Sequence, residues 1–224
     1  MGRDTGKIDI KTLGALLLIW IAVFFLWDTI VVYPLKIFVV LLHELSHGLA
    51  AVITGGAIEK IHINANEGGV CWTRGGIRFI VISAGYMGSL LWGGIILLSA
   101  ARTRLDKGIS VFIGLAVLGV TVMFIRNPFG LIYGIAFGAA MILLGKFASE
   151  VVNDFILKVI GLTSMLYAVI DIKSDLISRT VPSSDAARLA QNYFGTPVMW
   201  GVIWGLISLV MAWIFLRKST LKKT

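Results

Sequence analysis

Three ionisable residues, His43, Glu44 and His47, lie close together inside an apolar run of the sequence, LLHELSHGLA. The two histidines are four residues apart, so on a helix their imidazoles project from one face, one turn apart. That spacing allows the two rings to occupy two corners of a tetrahedral zinc site. Glu44 is turned about 100° from His43 by the helical period, where it can take a proton from a metal-activated water. The pattern predicts a Zn²⁺ site with hydrolytic chemistry.

The apolar setting makes these residues costly to retain. An ionisable side chain within a bilayer costs at least about 2.5 kcal/mol, so three of them within five positions require partners. A zinc ion bound by the two histidines and used by Glu44, in a hydrated cavity between helices, would account for all three. The alternative is structural, with His43 and His47 bonded to neighbouring helices and Glu44 as their counter-charge.

The composition indicates an integral membrane protein. The chain has 224 residues, of which 58% are hydrophobic and only 14% are charged, and its mean hydropathy is +0.91. Soluble domains carry about 25% charged residues. The net charge is +8. We interpret the basic residues as groups that set membrane topology and contact anionic lipid head groups, rather than as a nucleic-acid-binding surface.

The hydropathy pattern predicts an all-α polytopic membrane protein with about seven transmembrane helices, six or eight being the alternatives. No linker divides the chain, so residues 1–224 are predicted to form a single membrane-embedded domain. Each span needs about 20 apolar residues. The candidate spans are residues 12–32, 35–54, 78–100, 108–125, 129–147, 155–173 and 197–216.

Two stretches do not fit a membrane span. Residues 57–79 alternate apolar and polar side chains around Asn-Glu-Gly-Gly, which predicts a small β-hairpin directly after the His-Glu-x-x-His helix. Residues 173–197 contain Pro182 and a serine pair, after which Asp185 opens a short helix that ends near Gly195.

A catalytic zinc ion usually takes three protein ligands, and the third is sought in residues 163–178. Polar residues recur there at steps of three and four, on one helix face. Asp171 follows an apolar run and is the preferred third ligand, because a membrane-embedded carboxylate needs a partner. Asp175, one turn further on, is the alternative ligand or an interfacial acid with Lys173 and Arg179 as counter-ions.

The segment HELSHGLAAVITGG, followed by a predicted hairpin in a multispan protein, resembles the site-2 protease superfamily of intramembrane zinc metallopeptidases. The resemblance implies hydrolysis of transmembrane substrate helices at a zinc ion held by two histidines and a later aspartate. Carried over to this chain, His43 and His47 are zinc ligands, Glu44 is the general base, and Asp171 completes the site. The chain departs from the family in one motif, because Phe129 stands where an Asn-Pro-Asp-Gly-like sequence would place the aspartate.

Five further residues have structural and functional interpretations. His62 is expected to be an exposed strand residue rather than a ligand, and Asp28 an interfacial acid. Arg126 and Asn127 are expected to form a loop, with oxyanion stabilisation as the alternative. Asp185 is expected in the first turn of its short helix, where an acid is favoured by the helix dipole.

The sequence therefore predicts an intramembrane zinc metallopeptidase acting on membrane-protein substrates within the bilayer. Two alternatives stay open: a non-proteolytic zinc-binding membrane protein, and a proton-coupled transporter that uses the acids and histidines as a relay. The oligomeric state is not indicated. With seven spans, the basic loop 101–108 and the basic C-terminus would lie on one side, predicted cytoplasmic, and the N-terminus on the other.

Overall fold

The computed structural model describes residues 4–173 and 184–223 as a bundle of helices with two small antiparallel sheets. Asp175, the alternative ligand, lies outside the described residues. The elements within the described ranges are β1 Asp4–Ile8, α1 Ile10–Phe25, α2 Tyr33–Ile53, β2 Ala57–Ile63, β3 Gly69–Arg74, α3 Arg78–Arg102, α4 Asp106–Phe124, α5 Pro128–Phe147, α6 Glu150–Lys173, α7 Asp185–Asn192, α8 Pro197–Ser219 and β4 Leu221–Lys223.

Six helices of the described chain, α2 to α6 and α8, are long and apolar enough to cross a membrane. The all-α polytopic prediction is therefore confirmed. The first predicted span, 12–32, is instead the 16-residue helix α1, which ends at Phe25 and is followed by turns. At 1.5 Å per residue it is about 24 Å long, shorter than the hydrocarbon core of about 30 Å.

The two chain ends lie together, which corrects the expectation that they face opposite sides. Strand β1 pairs antiparallel with β4, and the Asp9 N–H donates to the Thr220 carbonyl at 2.7 Å. Arg102, at the end of α3, donates to the Leu221 carbonyl at 2.7 Å, so the basic loop 101–108 is at the same end. Termini on the same side require an even number of complete membrane crossings. The assignment of the C-terminus to the cytoplasmic side stays a prediction.

Helix α2 is the central element of the bundle. In an 18-residue apolar stretch of this helix, 72% of the residues are buried. The side chains of Phe38 and Leu41 belong to the largest buried cluster. Pro34 stands in its first turn, where the missing N–H costs no helical hydrogen bond. A helix this enclosed holds polar side chains away from lipid and against protein groups.

Strands β2 and β3 form the predicted hairpin, which packs on α2. The hairpin tip is fixed to the first turns of that helix: Lys36 Nζ lies 2.7 Å from Glu67 Oε1, and the Tyr33 hydroxyl donates to the Ala65 carbonyl at 2.7 Å. Asp28 is 95% exposed and lies 3.9 Å from Lys36, in agreement with its interpretation as an interfacial acid. These contacts set the position of β3 along α2.

Candidate metal centre

Helix α2 carries His43, Glu44 and His47 into the protein interior. His47 and Glu44 are 6% and 7% exposed, and the His43 side chain is 13% exposed. The imidazole rings of the two histidines lie 4.9 Å apart between centroids, in an edge-to-face arrangement. The i, i+4 spacing thus places both rings on one face, as the sequence predicts.

Asp185 completes the cluster, although it is distant in sequence. Its Oδ2 atom lies 3.2 Å from Nε2 of His43 and 3.2 Å from Nε2 of His47. One ligand atom from each of the three residues lies within 4.8 Å of the others, and together they could hold a metal ion.

The first turn of α7 holds Asp185 in place. Ser184 caps this helix by accepting a hydrogen bond from the Ala187 N–H at 3.2 Å. Ala186 and Leu189 are buried beside α3 and α8, so α7 is fixed by apolar packing. The expectation that Asp185 lies in a helical first turn is confirmed. The packing of α7 also brings this residue beside the two histidines.

The hydrogen bonding of these residues suits a metal ion. His47 Nδ1 lies 2.7 Å from the Val81 carbonyl, so Nδ1 donates to this oxygen and Nε2 is the ring nitrogen that faces Asp185. Asp185 Oδ2 is buried and makes no aligned hydrogen bond among the described residues, despite the two nearby imidazoles. The two Nε2 atoms and Asp185 Oδ2 thus converge without bonding to one another. A cation between them would bind all three, so this set of ligand atoms fits Zn²⁺.

The charge of Asp185 also fits this arrangement. Burial of its carboxyl group would raise the pKa, but the attraction of the His47 and His43 imidazoles holds that pKa well below its usual range. The carboxylate is therefore ionised at neutral pH, as a metal ligand must be.

Asp171 lies on the opposite side of His43. Its Oδ2 atom is 3.9 Å from His43 Nδ1, whereas Asp185 approaches Nε2 of the same ring. Since His43 Nδ1 is buried and has no hydrogen-bond partner in the described part of the chain, Asp171 is placed to orient the ring. Its predicted role as a metal ligand stays a prediction.

Glu44 is covered by strand β3. A methyl group added at Gly69 would lie 2.6 Å from Glu44 Cγ and 2.8 Å from its Oε1, so only glycine leaves room for the carboxylate there. The backbone N–H of Cys71 is directed toward the Glu44 carboxylate. The hairpin thus contacts the predicted general base directly.

The outer edge of β2 is occupied by the connection between α4 and α5. The Asn127 carboxamide binds both backbone groups of Ile63, accepting at 3.0 Å and donating at 2.6 Å. The Arg126 N–H donates to the Ile61 carbonyl at 3.1 Å. Arg126 and Asn127 therefore form the expected loop and buttress the hairpin, and they do not line the cavity at the metal cluster.

This pairing determines where the backbone groups of β3 point. In an antiparallel pair, residues directly opposite each other turn their N–H and C=O groups either both inward or both outward. Ile61 and Ile63 bond outward, so their register partners Cys71 and Gly69 also turn outward, at the opposite edge. That edge faces Glu44.

A cavity of about 530 Å³ connects these parts. One wall is the edge of β3, and the other is α7, which contributes Arg188 and Gln191. Arg188 Nη1 lies 4.0 Å from Asp185 Oδ1, the carboxylate oxygen that does not face the histidines. His62 packs against Trp72, with ring centroids 4.6 Å apart, and does not line the cavity.

A comparison with protein-family models agrees with the fold. The Peptidase M50B-like family model matches residues 16–215, and the chain belongs to this family. The resemblance to site-2 proteases is thereby confirmed at the family level, which indicates a membrane metallopeptidase. Neither the curated proteins nor the solved structures gave a match.

Proposed function

We propose that this protein is an intramembrane zinc endopeptidase that cleaves transmembrane segments of other membrane proteins. The observation that carries the proposal is the convergence of His43 Nε2, His47 Nε2 and Asp185 Oδ2 next to a buried glutamate. His43, His47 and Asp185 would hold the ion, with Asp171 beside the rear nitrogen of His43. Bound zinc would supply Lewis acidity and lower the pKa of water toward neutrality.

Glu44 acts as the general base. It is buried at 7% exposure on the turn that carries both histidines, so it lies beside the cluster and is absent from the group of ligand atoms. Its carboxylate accepts the proton of the attacking water and delivers it to the departing amide nitrogen, since both steps require an acid-base group within hydrogen-bond reach. The close approach of Gly69 confines the carboxylate.

Strand β3 offers a binding edge for an unwound substrate. A transmembrane helix satisfies its own backbone hydrogen bonds, so its peptide groups are accessible only after local unwinding. The outward backbone groups of Gly69 and Cys71 can pair with such an extended segment by strand addition. This places a substrate peptide bond between β3 and the metal cluster.

Arg188 lies on the opposite side of the same cavity. Its guanidinium lies 4.0 Å from Asp185 Oδ1 while half of the side chain stays exposed to the cavity. It thereby orients the Asp185 carboxylate and presents N–H donors toward substrate carbonyl oxygens.

The experiment is cleavage of a pool of synthetic transmembrane peptides by purified protein in detergent, with products identified by mass spectrometry. Wild type is compared with Glu44→Gln, which keeps side-chain size and removes the base. We expect specific fragments from wild type only, with equal zinc content in both. Equal zinc without fragments in either would favour the non-proteolytic zinc protein, and ion flux in liposomes without bound zinc would favour the transporter.

A further inference from the structure

A second cavity, of about 760 Å³, lies at the end of the bundle where the two termini meet. It is formed by the beginning of α1, the end of α3, one turn of α6 and the end of α8 with β4. The β1–β4 pairing and the bond from Asp9 N–H to the Thr220 carbonyl, 2.7 Å, hold these elements together. It is separate from the metal cluster and plays no part in the proposed peptidase chemistry.

Basic side chains dominate the lining of this cavity. Four cations, Lys11, Arg102, Lys158 and Lys222, face one carboxylate, Asp9. Asp9 is engaged as the cap of α1, where it accepts from the Lys11 N–H at 3.2 Å and from the Thr12 hydroxyl at 2.9 Å.

Two of the cations are held in position, Arg102 by strand β4 and Lys158 by a residue one turn earlier on its own helix. Arg102 donates to the Leu221 carbonyl at 2.7 Å, and Lys158 pairs with Asp154 at 2.7 Å. Counting Asp154 as well, the cluster retains an excess of positive charge. An anion entering the cavity would therefore meet cations on four different elements.

The surroundings indicate that this anion belongs to a lipid. Ile10 lines the cavity and is 79% exposed, and α1 continues from it with Leu18 and Ile21 at 71% and 54% exposure. The last turn of α8 adds Arg217 and Lys218. Basic groups at the end of apolar helices, with an exposed apolar face leading away, match a phosphate head group and its acyl chains.

We propose that this cavity binds the phosphate of an anionic phospholipid, whose acyl chains lie along the exposed face of α1. The lipid would tie the paired termini to α3 and α6 at the membrane surface. A free phosphate shares the head-group chemistry but lacks the apolar contacts. Competition between the two therefore identifies the source of the anion.

The test is native mass spectrometry of the purified full chain with defined lipids. Wild type should retain phosphatidylglycerol at least tenfold better than phosphatidylcholine. The double variant Lys11→Gln/Lys222→Gln, at two exposed positions, should lose about 10- to 30-fold of that retention, since each basic group near a surface contributes a few-fold. Lys107→Gln/Lys146→Gln removes the same charge outside the cavity lining and should leave retention unchanged.

Three results would overturn the proposal. Equal retention of the two lipids by wild type would show that the cavity does not select an anion. An equal loss in both double variants would assign the effect to general surface charge. Displacement of phosphatidylglycerol by an equal concentration of inorganic phosphate would show that the site takes the free ion.

Discussion

Replacement of Asp185 by alanine tests the composition of the metal centre. The change removes the oxygen that lies 3.2 Å from both histidine Nε2 atoms, whereas Asp171→Ala removes a carboxylate 3.9 Å from the opposite nitrogen of His43. Loss of a partner behind a ligand reduces metal affinity about 10- to 100-fold. Loss of a ligand should exceed that, so we expect more than about 100-fold for Asp185→Ala, or about 2.7 kcal/mol.

The assay is competition for zinc between purified protein and a chelator of known affinity. Asp28→Ala is the control, because Asp28 is an acid that is 95% exposed and should not change the zinc affinity. If Asp171→Ala weakened binding as much as or more than Asp185→Ala, Asp171 would be the third ligand, as the sequence alone predicts. The assignment of Asp185 would then be wrong.

Three further predictions follow from local packing. Gly69→Ala places a methyl group 2.6 Å from Glu44 Cγ, so cleavage should fall by about 100-fold or more, the usual contribution of a general base, while zinc content measured by mass spectrometry is retained. Gly85→Ala places a methyl group 2.5 Å from Asp185 Oδ2 and should weaken zinc binding in the chelator assay; Gly119→Ala, which meets nothing within 4 Å, should not. Burial raises the pKa of the Cys71 thiol to about 12, and the Glu44 charge adds to the effect. At pH 8 the thiol of metal-free folded protein should therefore alkylate about 1,000-fold more slowly than the thiol of unfolded protein.

Each of these predictions has a distinct contradicting result. Loss of zinc in Gly69→Ala would place Glu44 among the ligands. Equal zinc affinity in Gly85→Ala and wild type would show that the α3 backbone does not confine Asp185. Rapid alkylation of Cys71 in the folded protein, increasing little between pH 8 and pH 10, would mean that the thiolate is already present near neutrality.

Features set by short-range pattern could be predicted from the sequence. The i, i+4 spacing of His43 and His47 places both rings on one face of any helix, and the apolar runs mark the long helices of the bundle. The alternation around residues 57–79 predicted the hairpin, and the Ser184-Asp185 pair predicted the beginning of α7. In each case the signal and the structure lie within the same few residues.

The position of Asp185 beside the two histidines could not be predicted in this way. Its local context is that of an acid in a helical first turn, which is favoured by the helix dipole in any protein. Its position beside the histidines depends on the packing of Ala186 and Leu189 against α3 and α8, a tertiary contact without a local signal. Asp171 had the stronger sequence signal, an acid within an apolar run, and it lies beside His43 on the other nitrogen.

The position of the two chain ends next to each other could not be predicted from the sequence for a similar reason. Counting residues 12–32 as a full span made the number of crossings odd, because apolar content alone does not reveal that α1 ends at Phe25. The β1–β4 pairing joins two short segments at opposite ends of the sequence, and neither is distinctive by itself.

The central claim is most directly tested by removing the metal and restoring it. Wild-type protein would be treated with a chelator, dialysed, and titrated with zinc while cleavage of a transmembrane peptide and bound zinc are measured together. We predict that cleavage disappears with the metal and returns in proportion to zinc, reaching its maximum at about one ion per chain. In parallel, Glu44→Gln should bind the same zinc without cleavage. Cleavage that persists without metal, or wild-type protein that binds no zinc, would contradict the proposed metallopeptidase.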